Sequence, residues 1–225
     1  MGVPRIQYYT DARHPLIYMY EPPMQPEEMC ACVDELAGSP VEALHFCLGD
    51  GRTVMHESVS TELWGDNVGT WPHVIFHRAH RNAKQLIERG HDPLRVVCER
   101  GAELGLPVVP AVLCNQGRGP REGSNLDVRC SEWRFDNQHL EIGASGPQLP
   151  AHFPGDTCLN FKHAAVREER LRLIEETLIK YGSVIGGLEL VLNYVPYYFH
   201  PSEVAEGRQI MTEFIAHVSK LVANR

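Results

Sequence analysis

The chain has no long apolar run, no strongly basic segment and no paired-cysteine motif. A membrane-spanning helix needs about 18 or more consecutive apolar residues, and no stretch of the 225 residues approaches that length. The net charge of −8 repels phosphate backbones, so we expect no nucleic-acid partner. Seven cysteines without a Cys-x-x-Cys pair indicate reduced thiols in a cytoplasmic protein, and argue against a disulfide framework or a zinc site.

Several motifs of known chemistry are also missing. The sequence has no Gly-x-Gly-x-x-Gly, no P-loop and no Gly-x-Ser-x-Gly, so nucleotide binding and serine hydrolysis lack support. The N-terminus has no basic start followed by an apolar run, which argues against a signal peptide. His73, His77 and His80 lie at helical spacing, but Val74 stands where a His-Glu-x-x-His motif has glutamate. We therefore expect no metal, no cofactor and no membrane association.

What the sequence does contain is an alternation of short apolar runs and longer helical patterns. The predicted strands are residues 16–20, 43–48, 106–114 and 188–192. The predicted helices are residues 26–38, 73–90, 92–104, 163–181 and 202–224. This order, without hairpin signals, predicts an α/β fold with a parallel sheet and helices outside it. Residues 117–157 form a long polar region without a period, and loops of that length are usually functional.

Several segments resemble those of one family, in the same order. They are LIYMYEPP, VLCNQG, TCLNFKHAAVREERLRLIEETLIKY and GLELVLNYVPYYFHP, and together they cover about residues 16–224. They resemble the glycoside-hydrolase-like TIM-barrel proteins of family-10 type. The resemblance implies a parallel (β/α) barrel. Because a full barrel has eight strands and four are predicted here, residues 1–225 would be a single domain, the N-terminal half of a barrel of about four β/α units. An identical chain or a separate half-barrel chain would complete it.

The chain departs from this family at two acidic positions. The family commonly has aspartate two residues after the glutamate of the fourth strand, where this chain has Val191. It commonly has Leu-Asp-Phe before the long helix, where this chain has Asn160. Each departure removes a carboxylate from a place where hydrolysis would use one.

Residues at the C-terminal ends of barrel strands are the catalytic candidates. Glu189, Asp50 and Glu21 are the carboxylates that the predicted strands place there, and Glu189 is the best acid/base candidate among them. Each also has a structural interpretation. Glu189 could be a buried glutamate paired with arginine, Asp50 a turn residue between two glycines, and Glu21 an exposed loop acid.

Amide and aromatic side chains near the predicted strand ends suit a carbohydrate ligand. Sugars offer hydroxyls for hydrogen bonds and apolar CH faces for stacking, although aromatic residues also anchor long loops. The candidate substrate-binding residues are Asn115, Gln116, Trp133, Asp136, His139, Asn160, Asn193, Tyr194 and Tyr197.

Three functions follow from these residues. The first is a glycoside hydrolase, or its half-barrel, in which Glu189 acts as acid/base and the second carboxylate lies on the other half. The second is a non-catalytic carbohydrate-binding or scaffold barrel, which Val191 and Asn160 allow. The third is a metal-assisted sugar isomerase or lyase, because a fold does not fix a function.

Overall fold

A computed structural model of the chain describes residues 4–123 and 126–224. The strands are β1 (Gln7–Asp11), β2 (Ala43–Cys47), β3 (Thr53–Val54), β4 (Glu62–Leu63), β5 (Val108–Leu113) and β6 (Glu189–Val191). The helices are α1 (Pro26–Met29), α2 (Ala31–Asp34), α3 (Val74–Glu88), α4 (Pro93–Glu103), α5 (Glu132–Asp136), α6 (Ala164–Tyr181) and α7 (Val204–Ala223). Shorter turns are π-helical at Pro15–Met19 and 3₁₀-helical at Gln138–Leu140, Ile142–Ala144 and Pro201–Glu203.

Four strands form a parallel sheet in the order β1-β2-β5-β6, which is also their order along the chain. The register aligns Asp11, Cys47, Ala111 and Glu189 in one row across all four strands. Helices lie between β2 and β5 and between β5 and β6, so consecutive strands are joined by crossovers. The predicted α/β class with a parallel sheet is therefore confirmed.

The two faces of this sheet differ in what covers them. On β2, Leu44 and Phe46 belong to the main core, which also contains residues of α3, α4 and α6. The alternate residues face the other way, and there a small apolar cluster joins Cys47 to residues of β5 and β6. Tyr9 is 49% exposed on β1. We call this second side the open face.

Local sequence signals explain where the helices on the core side begin and end. The His73 side chain accepts a hydrogen bond from the Ile75 backbone N–H at 3.2 Å and caps α3. Asp92 caps α4 in the same way, with Pro93 in the first turn. Gly105, at φ +69°, follows α4 in the left-handed conformation that glycine adopts most easily.

The prediction of a strand at residues 16–20 is wrong. This apolar run forms the π-helical turn Pro15–Met19, in which Leu16 and Ile17 are buried. The Asn82 side chain of α3 donates to the Leu16 carbonyl at 3.0 Å, so tertiary packing fixes the helical form. The first strand is the earlier segment Gln7–Asp11. Short apolar runs do not distinguish a strand from a buried turn of helix.

The long region 117–157 is compact although it lacks a period. Arg134 is 1% exposed and donates to Glu141 at 2.8 Å, and Arg118 donates to the same carboxylate at 2.8 Å. Ion pairs of this kind stabilise the fold of the region, and they cannot be predicted from the spacing of hydrophobic residues.

The seven cysteines are all free. Within the described ranges, no helix has both the length and the apolar content needed to cross a membrane.

Candidate functional site

Glu189 lies on the open face of the sheet. Its neighbours Leu188 and Leu190 pack against the main core on the opposite side. Its carboxylate oxygen Oε2 is 2.6 Å from Nδ1 of His45 on β2. The His45 side chain is 17% exposed and that of Glu189 is 34% exposed. A carboxylate and an imidazole in contact, with access to solvent, can exchange a proton with a ligand on this face.

A second group of polar side chains lies toward β1 on the same face. Asp11 ends β1, and both of its oxygens accept from Arg13, at 3.0 and 2.7 Å. Burial alone would raise the pKa of Asp11, but Arg13 outweighs it and holds that pKa below its usual range. Asp11 is therefore an ionised, charge-paired group at neutral pH.

Tyr9 on β1 and Cys47 on β2 lie on the same face, paired in register with His45 and Asp11 respectively. Burial raises the pKa of the Cys47 thiol to about 11, and burial next to Cys47 raises the pKa of Tyr9. Both side chains are therefore neutral at pH 7. Tyr9, which is 49% exposed, adds a neutral hydroxyl to the open face, whereas Cys47 is 3% exposed and its Sγ donates to the Gly49 carbonyl at 3.5 Å.

Asp50 is buried behind Arg13. It lies 3.1 Å from Arg13 through Oδ2, and its Oδ1 accepts from the indole N–H of Trp64 at 3.0 Å. Burial raises its pKa to about 6, because the attraction of Arg13 only partly offsets the loss of solvation. Both carboxylate oxygens therefore contact protein groups, Arg13 and Trp64.

The raised pKa of Asp50 predicts a pH-dependent effect of Asp50→Asn on stability. A folded-state pKa above the unfolded value means that stability is highest when the group is protonated and falls as pH rises through about 6. Asparagine mimics the protonated form, so we expect the variant to exceed the wild type by up to about 3 kcal/mol at pH 8, from two pKa units at about 1.4 kcal/mol each. At pH 4 the difference should be close to zero.

Urea denaturation at the two pH values measures this difference. The Asp136→Asn variant, whose side chain is 67% exposed, is the matched control and should shift neither value. A variant that is less stable than the wild type at pH 8 would show that the Arg13 contact outweighs the cost of burial.

Three predicted substrate-binding amides are buried and hydrogen-bonded within the protein. Asn115 donates to the Leu159 and Tyr197 carbonyls at 2.8 and 2.7 Å. Gln116 accepts from the Gly51 N–H at 3.2 Å. Asn160 donates to Glu203 at 2.7 Å. These amides join the loops beyond the strand ends to one another.

The other predicted binding residues lie in separate places. Trp133 borders a cavity of about 320 Å³ together with Glu62, whose carboxylate accepts from backbone N–H groups of α5. Asp136 and His139 are exposed. The three remaining predicted residues follow β6. Asn193 and Tyr194 are exposed, and the Tyr197 ring packs edge-on against the Phe153 ring, with centroids 5.2 Å apart.

Glu21 does not lie at a strand end, because the run before it is not a strand. Its side chain is 72% exposed and forms an ion pair with Arg78 of α3. The sequence interpretation missed His45, Tyr9, Asp11 and Arg13. The signal for His45 was present, since alternation along the predicted second strand places it opposite Leu44 and Phe46.

Within residues 4–123 and 126–224, no three His, Cys, Asp or Glu side chains are grouped so that they could hold a metal ion.

Comparison with known proteins gives a likeness at the level of the fold. No family model matches the chain, and no curated protein sequence matches it. Among solved structures, alpha-L-fucosidase isoenzyme 2 from Paenibacillus thiaminolyticus superimposes on 96% of the chain with a TM-score of 0.56 and 13% sequence identity. The chain spans 30% of the length of that fucosidase. At this level of identity the likeness is one of fold, between this chain and part of that fucosidase.

Proposed function

We propose that this chain is part of a (β/α)-barrel glycoside hydrolase in which Glu189 is the acid/base. The observation that carries the proposal is the position of Glu189, on the open face, half-exposed and 2.6 Å from His45. General acid catalysis needs a carboxyl group that can reach the leaving oxygen, and the open face gives that access. The fold likeness to a fucosidase supports the same class of reaction.

His45 holds the Glu189 carboxylate in place in this proposal. Its Nδ1 contacts Oε2, which leaves the other carboxylate oxygen available to a ligand. A side chain with three rotatable bonds is fixed by such a contact, and a fixed acid loses less entropy when the substrate is protonated. His45 is thus a positioning residue for Glu189.

The second carboxylate comes from outside the four-stranded sheet in this proposal. Asp11 is in the same register row as Glu189, but the two are three strand spacings apart, about 14 Å in a flat sheet. The two carboxyl groups of glycosidases are about 5–9.5 Å apart. Asp50 is enclosed by Arg13 and Trp64.

Further β/α units would supply that carboxylate. Parallel sheets are normally covered on both faces. Among the described residues, β1 and β6 are the edge strands of this sheet, and Tyr9 and Glu189 on the open face are partly exposed. We propose that residues 1–225 are one domain forming half of an eight-stranded barrel. The other half belongs to a second copy of the chain or to a separate half-barrel. Light scattering on the purified protein tests the first option, which requires a mass of about twice 25.4 kDa.

Carbohydrate is the ligand of this face in the proposal. Asn193, Tyr194 and Tyr197 follow the C-terminal end of β6, a three-residue strand that begins at Glu189, so they lie close to Glu189 along the chain. Tyr194 is 61% exposed and offers a ring for stacking on a sugar.

The test is product release from a panel of aryl glycosides, including the α-L-fucoside. We expect at least one glycoside to release sugar, detected by chromatography, at a rate proportional to protein concentration. If a glycan binds but no glycoside is cleaved, the hydrolase proposal is wrong and the chain is a carbohydrate-binding protein.

Two observations favour that second candidate. Val191, at the position where the family commonly has aspartate, is buried in the small apolar cluster of the open face. Asn160, at the other departure, is fully buried and bonded to Glu203. A sheet that keeps the fold but lacks these acids could bind sugar without cleaving it.

A further inference from the structure

A cleft lies beside Trp71, and the proposed catalytic residue Glu189 is not among the residues that form it. It has a volume of about 540 Å³ and is formed by residues 67–72, 121–123 and Leu126. Pockets of about 300–1,000 Å³ are typical of small-ligand sites. The cleft is therefore large enough for a ligand of its own.

The Trp71 ring is held firmly in this cleft. It packs on His77 and His80, with ring centroids 5.4 and 5.2 Å away, and on Trp64 at 6.3 Å. Gly65 makes room for it, since a Cβ there would be 2.5 Å from the Trp71 ring. Because Trp71 is only half-buried, part of this fixed ring remains available to the cleft. A ligand that binds to a rigid aromatic ring does so with little loss of side-chain entropy in the protein.

The charges around the cleft indicate a neutral ligand. Arg121 is already ion-paired with Glu132 and Asp136, and its guanidinium lies over the Phe135 ring at 5.4 Å. Glu122 is exposed at the rim and would repel an anion. A ring with hydroxyl groups and an apolar CH face fits an aromatic surface bordered by such polar side chains.

The cleft is connected to the open face through contacts between described side chains. A neighbouring cavity of about 340 Å³ shares Leu126 with it and is bordered by Arg13 and Phe76. Trp64 contacts both Trp71 and Phe76, and it donates to Asp50. Arg13 in turn pairs with Asp11, in the register row that includes Glu189.

We propose that the Trp71 cleft binds a distal sugar unit of a neutral oligosaccharide whose scissile bond lies at Glu189. This inference rests on the proposed function and specifies its substrate class as sugar chains. The cleft would increase the affinity for longer substrates without contacting the bond that is cleaved.

Gly69 provides the sharpest test, because a side chain there would enter open space. Gly69 lines the cleft and no heavy atom lies within 4 Å of a Cβ built there, so we expect the ring of Gly69→Tyr to occupy part of the cleft. Gly69→Ala is its matched control, and Tyr18→Ala removes an exposed aromatic ring elsewhere. Trp71→Ala removes the platform itself.

The measurements are dissociation constants on an array of neutral oligosaccharides of one to about six units, and hydrolysis of aryl monosaccharide glycosides. We expect Gly69→Tyr and Trp71→Ala to weaken binding of the longer glycans at least about tenfold. Both controls should bind like the wild type, and Gly69→Tyr, Gly69→Ala and Tyr18→Ala should cleave the monosaccharide glycosides at the wild-type rate.

The outcomes separate the two proposals. If Gly69→Tyr binds long glycans as the wild type does, or if the wild type binds none of them, the cleft proposal is wrong. If Gly69→Tyr binds long glycans as the wild type does, cleavage of the monosaccharide glycosides can still support Glu189 as the acid/base. Length-dependent binding that Gly69→Tyr abolishes, without any cleavage, would support the Trp71 cleft as a sugar-binding site and overturn both the hydrolase and the scissile bond at Glu189.

Discussion

Replacing Glu189 by glutamine is expected to lower turnover of glycosides about 10²–10⁴-fold, the usual contribution of a general acid or base. Glutamine keeps the shape and can still accept a hydrogen bond from His45, but it has no proton to donate to the leaving oxygen. Because Glu189 is half-exposed and its side-chain hydrogen bond among the described residues is with His45, the thermal midpoint should change little. Initial rates on the glycoside that is cleaved best, together with calorimetry, measure both quantities.

The leaving group makes this test specific for an acid. A dinitrophenyl glycoside needs little protonation, so Glu189→Gln should cleave it far better than it cleaves an alkyl glycoside of the same sugar. Glu213→Gln, an exposed change on α7, is the control and should retain full activity. Equal losses on both substrates would mean that Glu189 acts in some other way, and unchanged rates would remove it from the mechanism.

The second large effect is expected from Glu169→Gln, which should lower the free energy of unfolding by about 3–5 kcal/mol. Glu169 of α6 is 6% exposed and contacts both Arg52 and Arg170. Burial alone would raise the pKa of Glu169, but the two guanidinium groups hold it below its usual range. Without this carboxylate, two buried cations would remain with no counter-charge between them.

Arg52 explains why this loss should be large. Burial lowers its pKa to about 9, with Arg170 adding repulsion and Glu169 opposing both. Its Nη2 has no hydrogen-bond partner among the described residues, so the Glu169 contact is its main compensation. Removing Arg52 as well should restore part of the loss, and Glu169→Gln/Arg52→Met should therefore be less destabilised than the sum of its single changes.

Urea denaturation at pH 7 decides this prediction. Glu168→Gln, an exposed neighbour on the same helix, is the matched control and should stay within about 0.5 kcal/mol of the wild type. A loss below about 1 kcal/mol for Glu169→Gln would show that water already stabilises the two arginines.

The elements with long, periodic patterns were predictable from the sequence. Helix α6, predicted at residues 163–181, is observed at Ala164–Tyr181, and strand β2, predicted at 43–48, is observed at Ala43–Cys47. Helix α4 follows from Asp92 and Pro93 at its start and Gly105 at its end. In each case the local signal and the tertiary packing agree.

The first strand and its site residues were not predictable in the same way. The segment Gln7–Asp11 has a single buried residue, Thr10, so it lacks the apolar signal of a strand. The apolar run of the Pro15–Met19 turn that follows does carry such a signal, but Asn82 and α3 hold it in a helical turn. Because the sequence predicts the first strand at residues 16–20 and not at Gln7–Asp11, it places Glu21 at a strand end and gives no reason to select Asp11 and Arg13.

By itself the sequence determined the α/β class, the order of most strands and helices, and the choice of Glu189 as a carboxylate on a strand. These follow from side-chain periodicity and capping residues, which act over a few residues of chain. Only the tertiary structure decided which side chains meet, such as His45 with Glu189 across 144 positions, or Arg52 with Glu169 across 117. Such contacts depend on register and packing between distant segments, and no local pattern in the chain encodes them.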